Sequence, residues 1–357
     1  METEIRVEGA VLPATVTMPA EPVRGGVIPL HGAESGHRSF FLYEHLSRVL
    51  PALGVAVLRY DRRPEEGGAD EPLSRQASDA MAAVSVLRDY VGERPIGLWG
   101  FSQGAWAAPV AAATYPAEVE FLVLVSSCGV SPAQQMRIGC DKQLELHGYG
   151  DGDRAQLAAL RVAFEEYLRG DRDRGSTQAV VDDCADRAWF PLVYVPKVVP
   201  DAGVWADMDF DPEPVFAGVS CPVLAFYGET DAWMPIEDSA DAWRRAGQAS
   251  GNRDITVVRL DGCDHLPTAS QRPPGAVGPA TDCSRSVTYA RPPSASRPLG
   301  FLASGGTCRG TDHSFGSSGL NILTFWSTSS RLTAAAMNAL RCHVHPWTIG
   351  GPSDVGA

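Results

Sequence analysis

Lysine is nearly missing from this sequence: Lys142 and Lys197 are the only two in 357 residues, and the formal net charge is −13. A chain with that balance repels phosphate backbones and has nothing from which to build a basic groove, which excludes nucleic acid as an expected partner. Runs of about 18 apolar residues, the length needed to span a bilayer, are also missing. The N-terminus, METEIRVEGAVLPATVTMPA, carries acids early and lacks the apolar stretch of a secretory leader. No membrane partner is expected, and the expected compartment is the cytoplasm. Neither Cys-x-x-Cys nor a zinc-type Cys/His spacing occurs among the eight cysteines at 128, 140, 184, 221, 263, 283, 308 and 342. In a reducing cytosol these are expected as reduced, mostly buried thiols, with no metal bound.

What is present is enough to bury a large core. Hydrophobic residues make up 44% of the chain and charged residues 20%. Residues 4–17 alternate apolar and polar positions around Gly9 and Pro13, as two short antiparallel strands do. GGVIPLHG is a short apolar run ending in glycine; residues 43–53 then carry Leu46, Val49, Leu50 and Leu53 at helical spacing, and Gly54 stops them before the strand VAVLRY. SRQASDAMAAVSVLRDYV has its apolar residues three and four apart, an amphipathic helix, and PIGLWG, EFLVLV, CPVLAFYG and ITVVRL are further apolar strands. Strands alternating with helices predict a parallel α/β sheet, whose ligand sites lie at the carboxyl ends of the strands.

Two segments break this rhythm. Residues 131–215 combine helix-like acidic stretches with an aromatic, proline-rich run holding Trp189, Phe190, Tyr194 and Trp205. That is too long for a connecting loop, so it is expected as an inserted cap or lid between core segments 1–130 and 216–267. Its aromatics either line an apolar pocket or pack the cap. Residues 268–357 contain no Lys or Glu, and seven Arg against Asp282, Asp312 and Asp354 make them +4, leaving −17 for the first 267. Apart from a helix-like stretch over 330–341, this low-complexity tail is expected to lie outside the fold and the functional unit. A shifted reading frame would produce such a break. Its histidines, 313, 343 and 345, are not expected to bind metal.

The chemistry concentrates at strand ends. GFSQG at 100–104 is a G-x-S-x-G match placed between the strand PIGLWG and a helix-like run. Such a turn is tight enough to demand small residues two positions either side of the serine, here Gly100 and Gly104. A serine hydroxyl needs a base, and the base a carboxylate to fix its tautomer. His265 follows the strand ITVVRL, and Asp231 follows the preceding strand, so the order is Ser102, Asp231, His265. Asp209 and Asp211 are competing acids, though they close the aromatic segment rather than a strand. His37, His45 and His147 have no distinguishing neighbours, and Glu34 and Asp61 help shape a pocket at most.

GFSQG resembles the nucleophile elbow of the α/β-hydrolase superfamily, GETDAWMP its G-x-x-D acid loop, DGCDH its histidine loop and HGAESGHR its oxyanion loop. YDRRPEEGG is similar to the family's YDxRGxG segment, with Pro64 where glycine is expected. The resemblance covers residues 1–267. It implies a mostly parallel central sheet flanked by helices, with a helical cap inserted, and a serine hydrolase with the triad Ser102, His265 and Asp231. It further implies that the N–H groups of Gln103 and Ala33 form the oxyanion hole, with His31 and Gly32 structural in the loop. No cofactor is implied. A small-molecule carboxylic ester is the expected substrate, with a peptidase, a thioesterase or a non-catalytic ligand-binding protein as alternatives. Dehalogenase and epoxide hydrolase chemistry is disfavoured because that branch uses an aspartate nucleophile. Acyl size and oligomeric state are not legible.

Overall fold

The computed structural model describes residues 1–20, 22–33, 35–63, 71–201 and 205–267. The expectations for Glu34, Pro64 and the whole of 268–357, including the helix-like stretch at 330–341 and the three tail histidines, lie outside the described residues.

The alternating segment at the start forms β1 (Glu2–Val7) and β2 (Ala10–Thr17), an antiparallel pair with Ile5 opposite Leu12. Then come β3 (Gly25–Leu30), α1 (Phe41–Val49), β4 (Val55–Tyr60), α2 (Leu73–Val91), β5 (Ile96–Phe101), α3 (Gly104–Thr114) and β6 (Phe121–Val125). The chain next makes a long helical excursion, α4 (Pro132–Leu146), α5 (Asp151–Arg169) and α6 (Arg174–Cys184), before α7 (Pro212–Ala217), β7 (Val223–Gly228), α8 (Ile236–Ser250) and β8 (Ile255–Leu260). The helix read over 43–53 is shorter than its spacing implies. It ends at Val49 and continues as a 3-10 turn over Leu50–Leu53, because Pro51 has no N–H for the α ladder.

Eight strands make one sheet in the order β1-β2-β4-β3-β5-β6-β7-β8. β2 runs antiparallel to β4, and the pairs from β4 through β8 are parallel. In β3, β5, β6 and β7 every residue is buried, the near-continuous apolar run of a parallel strand covered on both faces. One face packs on α2, α3 and α8 through Leu87, Ala108 and Trp243. The other packs on α1 through an aromatic layer of Tyr43, Trp99, Phe101 and Phe226. Phe216 of α7 stacks on Trp243 with ring centroids 3.9 Å apart, and each such buried side chain contributes about 1.5–3 kcal/mol. Among the described residues β8 is the outermost strand; it pairs with β7, and its residues are half-buried or exposed.

Between β6 and β7 the excursion has a hydrophobic cluster of its own, built from Leu144, Leu157, Leu160, Phe164, Val181 and Val193 among others. Trp189 and Phe190 are buried inside that cluster, which makes them packing residues rather than pocket walls. Glu165, fully buried, receives Arg137 Nε at 2.7 Å and Arg161 Nη2 at 3.0 Å, tying α4 to α5 with its charge compensated. Among the described residues no helix is long and apolar enough to cross a membrane. The five described cysteines are free thiols, and burial pushes Cys128 up to about 12, which keeps it protonated.

Candidate active site

The turn from β5 into α3 places Ser102 in the left-handed region, at φ 51°, a conformation a non-glycine residue holds only where its surroundings fix it. They do so here: Ser102 N–H donates to Val125 O at 3.0 Å, and Ser102 O accepts from Ala105 N at 2.9 Å. A Cβ on Gly100 would lie 2.5 Å from Gly104 O and 2.8 Å from the Ala105 Cα, so the crossing of strand and helix needs the hydrogen side chain. The first turn of α3 points its N–H groups towards the same side as the serine.

β7 and β8 end beside each other, and their loops are laced. Thr230 donates to Cys263 O from both its N–H (3.0 Å) and its hydroxyl (2.7 Å), and Glu229 N–H donates to Leu260 O at 3.1 Å. This brings His265 over the elbow. Ser102 Oγ lies 3.0 Å from His265 Nε2, and His265 Nδ1 lies 2.8 Å from Asp231 Oδ2. An ionised carboxylate only accepts, so Nδ1 carries the proton and Nε2 faces the serine hydroxyl as an acceptor. The Asp231 side chain is fully buried, that of His265 22% exposed, so the acid is shielded while the base remains within reach of a ligand.

Asp231 has two further donors. Ser126 Oγ donates to Oδ2 at 2.9 Å and Trp233 N–H to Oδ1 at 2.9 Å, which holds the carboxylate plane and satisfies a buried charge. Ser126 also has a left-handed backbone, φ 55°, at the end of β6. Nothing in VLVSS separates Ser126 from Ser127 by pattern; only the order of the strands, which sets β6 next to β7, reveals its role. Trp233 in turn joins the acid loop to the helical excursion, since Gln135 Nε2 donates to its carbonyl at 3.1 Å and Tyr194 meets its ring edge-on.

The loop after β3 faces the elbow from the other side. His31 is buried, donates from Nε2 to Tyr60 O at 2.8 Å and sits edge-on to the Tyr43 and Tyr60 rings. Desolvation lowers its pKa to about 4, so it is a neutral, fixed part of the scaffold. Gly32 N–H donates to Tyr43 Oη at 3.1 Å, Tyr43 Oη lies 2.8 Å from Ser35 Oγ, and Ser35 Oγ donates to Gly32 O at 3.2 Å. Because the Ser35 proton is committed to Gly32, Tyr43 donates to Ser35, and the three bonds close a ring that fixes Gly32 and Ala33. With its N–H turned to Tyr43, Gly32 has no backbone donor left for a ligand. Arg62 reaches in from the end of β4, giving Nη1 to Gln103 Oε1 at 2.7 Å and Nη2 to Ala33 O at 2.8 Å. Neither Tyr43 nor Arg62 carries a signal in the sequence.

The competing acids are occupied elsewhere. Asp209 accepts the fork of Arg169 at 2.7 and 2.6 Å, and Asp211 caps α7. Asp61, read as a pocket-shaping carboxylate at most, accepts at Oδ1 from Arg38 N–H. His147 Nδ1 is bound to Gln143 O within the end of α4.

Solved structures to which the chain is similar include Est1E from Butyrivibrio proteoclasticus, at 19% identity and TM-score 0.45, covering 74% of this chain and 90% of that one. Esterase Pf2001 from Pyrococcus furiosus is 16% identical with TM-score 0.46, covering 74% and 84%. Proline iminopeptidase from Mycobacterium smegmatis is 17% identical with TM-score 0.46, covering 74% and 91%. No curated protein sequence gives a match. The model of the alpha/beta hydrolase family matches residues 30–278, which contain the elbow, the acid loop and the histidine loop, and the chain therefore belongs to that family.

Proposed function

We propose that this protein is a serine hydrolase that cleaves a carboxylic ester through an acyl-enzyme. The observation that carries the reading is the pair of contacts at His265, 3.0 Å to Ser102 Oγ and 2.8 Å to Asp231 Oδ2. Ser102 Oγ attacks the ester carbonyl while its proton passes to His265 Nε2, and Asp231 holds Nδ1–H and balances the imidazolium that results. The carbonyl electron pair moves onto oxygen, where the N–H groups of Gln103 and Ala33 receive it. Collapse of this tetrahedral adduct breaks the bond to the leaving alkoxide, which takes the proton from Nε2. Water then gives a proton to Nε2 and attacks the acyl carbon, and Ser102 leaves with that proton restored. An ester is a less demanding substrate than an amide for this set of groups, because an alkoxide leaves more readily than an amide nitrogen.

In this reading residues 131–215 are the cap and 1–130 with 216–267 the catalytic core. The substrate is a small molecule met in the cytoplasm, without nucleic acid or a membrane as partner. A panel of p-nitrophenyl esters, aminoacyl anilides and acyl-CoA thioesters, run with Ser102→Ala as control, tests it. Esters are expected to turn over and the variant to lose nearly all activity while keeping its melting temperature. Labelling by a fluorophosphonate probe separates the enzyme from a ligand-binding protein of the same fold: wild type that fails to label at Ser102 would sink the proposal.

A further inference from the structure

We infer that Arg62 is a positioning residue that sets the spacing of the two oxyanion donors. The inference rests on the serine hydrolase reading above and deepens it. Gln103 and Ala33 come from different parts of the chain, the elbow after β5 and the loop after β3, and the Arg62 guanidinium is bonded to both. It enters from β4, a strand that supplies no member of the triad. Its own base is held as well, since Arg62 N–H donates to Gly36 O at 2.7 Å. A Cβ on Gly36 would lie 3.3 Å from Arg62 Nε and 3.4 Å from Arg62 Cβ, so the Arg62 side chain runs directly against the backbone of the loop it braces.

The chemistry of the bridge suits arginine. Its planar fork directs two separate N–H groups at two acceptors while remaining cationic, which a lysine ammonium on a flexible stem does not reproduce. Oxyanion donors act only when about 2.7–3.1 Å from the position the developing charge will take, so a brace that fixes their separation acts on the transition state more than on the bound ester. The positive charge, hydrogen-bonded to both donor residues, favours the same anionic state. The adjacent Arg63 does something different: it gives Nε and Nη2 to the Asp79 carboxylate at 2.7 Å each and Nη1 to Glu8 O at 2.5 Å, pinning α2 to the β1–β2 turn. Two neighbouring arginines thus divide into one that holds the scaffold and one that holds the site.

The test compares wild type, Arg62→Met, Arg62→Lys, Gln103→Ala and the double variant Arg62→Met/Gln103→Ala in the full chain. Each is measured for kcat and KM on p-nitrophenyl butyrate, for inhibition by a trifluoromethyl ketone that forms a tetrahedral adduct with serine, and for melting temperature. Arg62→Met is expected to lower kcat about tenfold or more, a fraction of the ~10²- to 10³-fold lost when a donor is removed outright. KM should stay within about twofold of wild type, and the ketone inhibition constant should rise by the same factor as kcat falls. Arg62→Lys should recover part of the loss. Gln103→Ala keeps the backbone donor and removes one arm of the bridge, so its loss and that of Arg62→Met should combine to less than their product. Should Arg62→Met not fold, Gln103→Ala decides alone: a fall in kcat matched by the ketone supports the bridge, and wild-type values for both overturn it. A fall in kcat with unchanged ketone affinity overturns it too. An inactive wild type would refute the serine hydrolase reading instead, which keeps the two failures apart.

Discussion

Substituting Gly228 by alanine tests how the triad is held together without touching any of its members. Gly228 ends β7 three residues before Asp231, and its Cα faces the backbone of the histidine loop. A Cβ there would meet Asp264 O and would stand 2.5 Å from Cys263 O and 2.8 Å from its carbonyl carbon, where ordinary contact begins at 3.4 Å. The obstacle is backbone, not the end of a flexible side chain, so the two loops must part by about 1 Å. His265 follows directly, and the same displacement takes Nε2 from 3.0 Å to about 4 Å from Ser102 Oγ, beyond hydrogen-bond reach. Misplacement of a catalytic group by about 1 Å costs on the order of 10²-fold in rate, and overpacking of this kind costs about 1–3 kcal/mol of stability. Turnover of a p-nitrophenyl ester, the rate of fluorophosphonate labelling and calorimetric melting measure the three effects. Wild-type kcat and labelling rate in Gly228→Ala would show that the histidine loop is not positioned by its packing on β7, and the reasoning would fail.

The remaining expectations concern charge. His31 is neutral in the fold, with a pKa lowered to about 4 against about 6.5 when unfolded, so the unfolded chain takes up the proton first as pH falls. Stability is therefore lost between about pH 6.5 and 4, by about 3 kcal/mol in total, and urea unfolding of His31→Gln at pH 7, 5.5 and 4 should lack that part of the slope. Parallel curves for the two proteins would count against it. Ser126→Ala removes one of the two donors on Asp231 Oδ2, and a hydrogen bond to a charged group is worth about 1.5–3 kcal/mol, so kcat should fall about tenfold or more with KM little changed. Steady-state kinetics decide that, and an unaltered kcat would remove Ser126 from the site.

The strands and the three loops bearing Ser102, Asp231 and His265 were legible because each is a local pattern: an apolar run, then glycine and polar residues. What supports those loops was not, because it is assembled across the sheet. Ser126 acts on Asp231 from 105 residues away, and Arg62 on Gln103 from 41. Tyr43 reads as one more apolar position of α1, yet its hydroxyl lies in the oxyanion loop. The aromatics at 189 and 190 were ambiguous for a related reason. Composition does not distinguish a ring that lines a pocket from one that fills a helical cluster, and only the packing of α4, α5 and α6 decides it.

One consequence follows from the position of β8. Ser102 follows the central strand β5 and Asp231 follows β7, which has neighbours on both sides, but His265 follows the strand that, among the described residues, is outermost in the sheet and pairs with β7. Backbone opening in proteins begins where pairing is one-sided and apolar cover is thin. Excursions of the chain that release 255–265 would carry the imidazole away while Ser102, Asp231 and the rest of the sheet stay in place. In the serine hydrolase reading proposed above, loss of turnover on warming is therefore expected to precede the cooperative melting of the whole, which ester turnover and calorimetry followed over one temperature ramp would check.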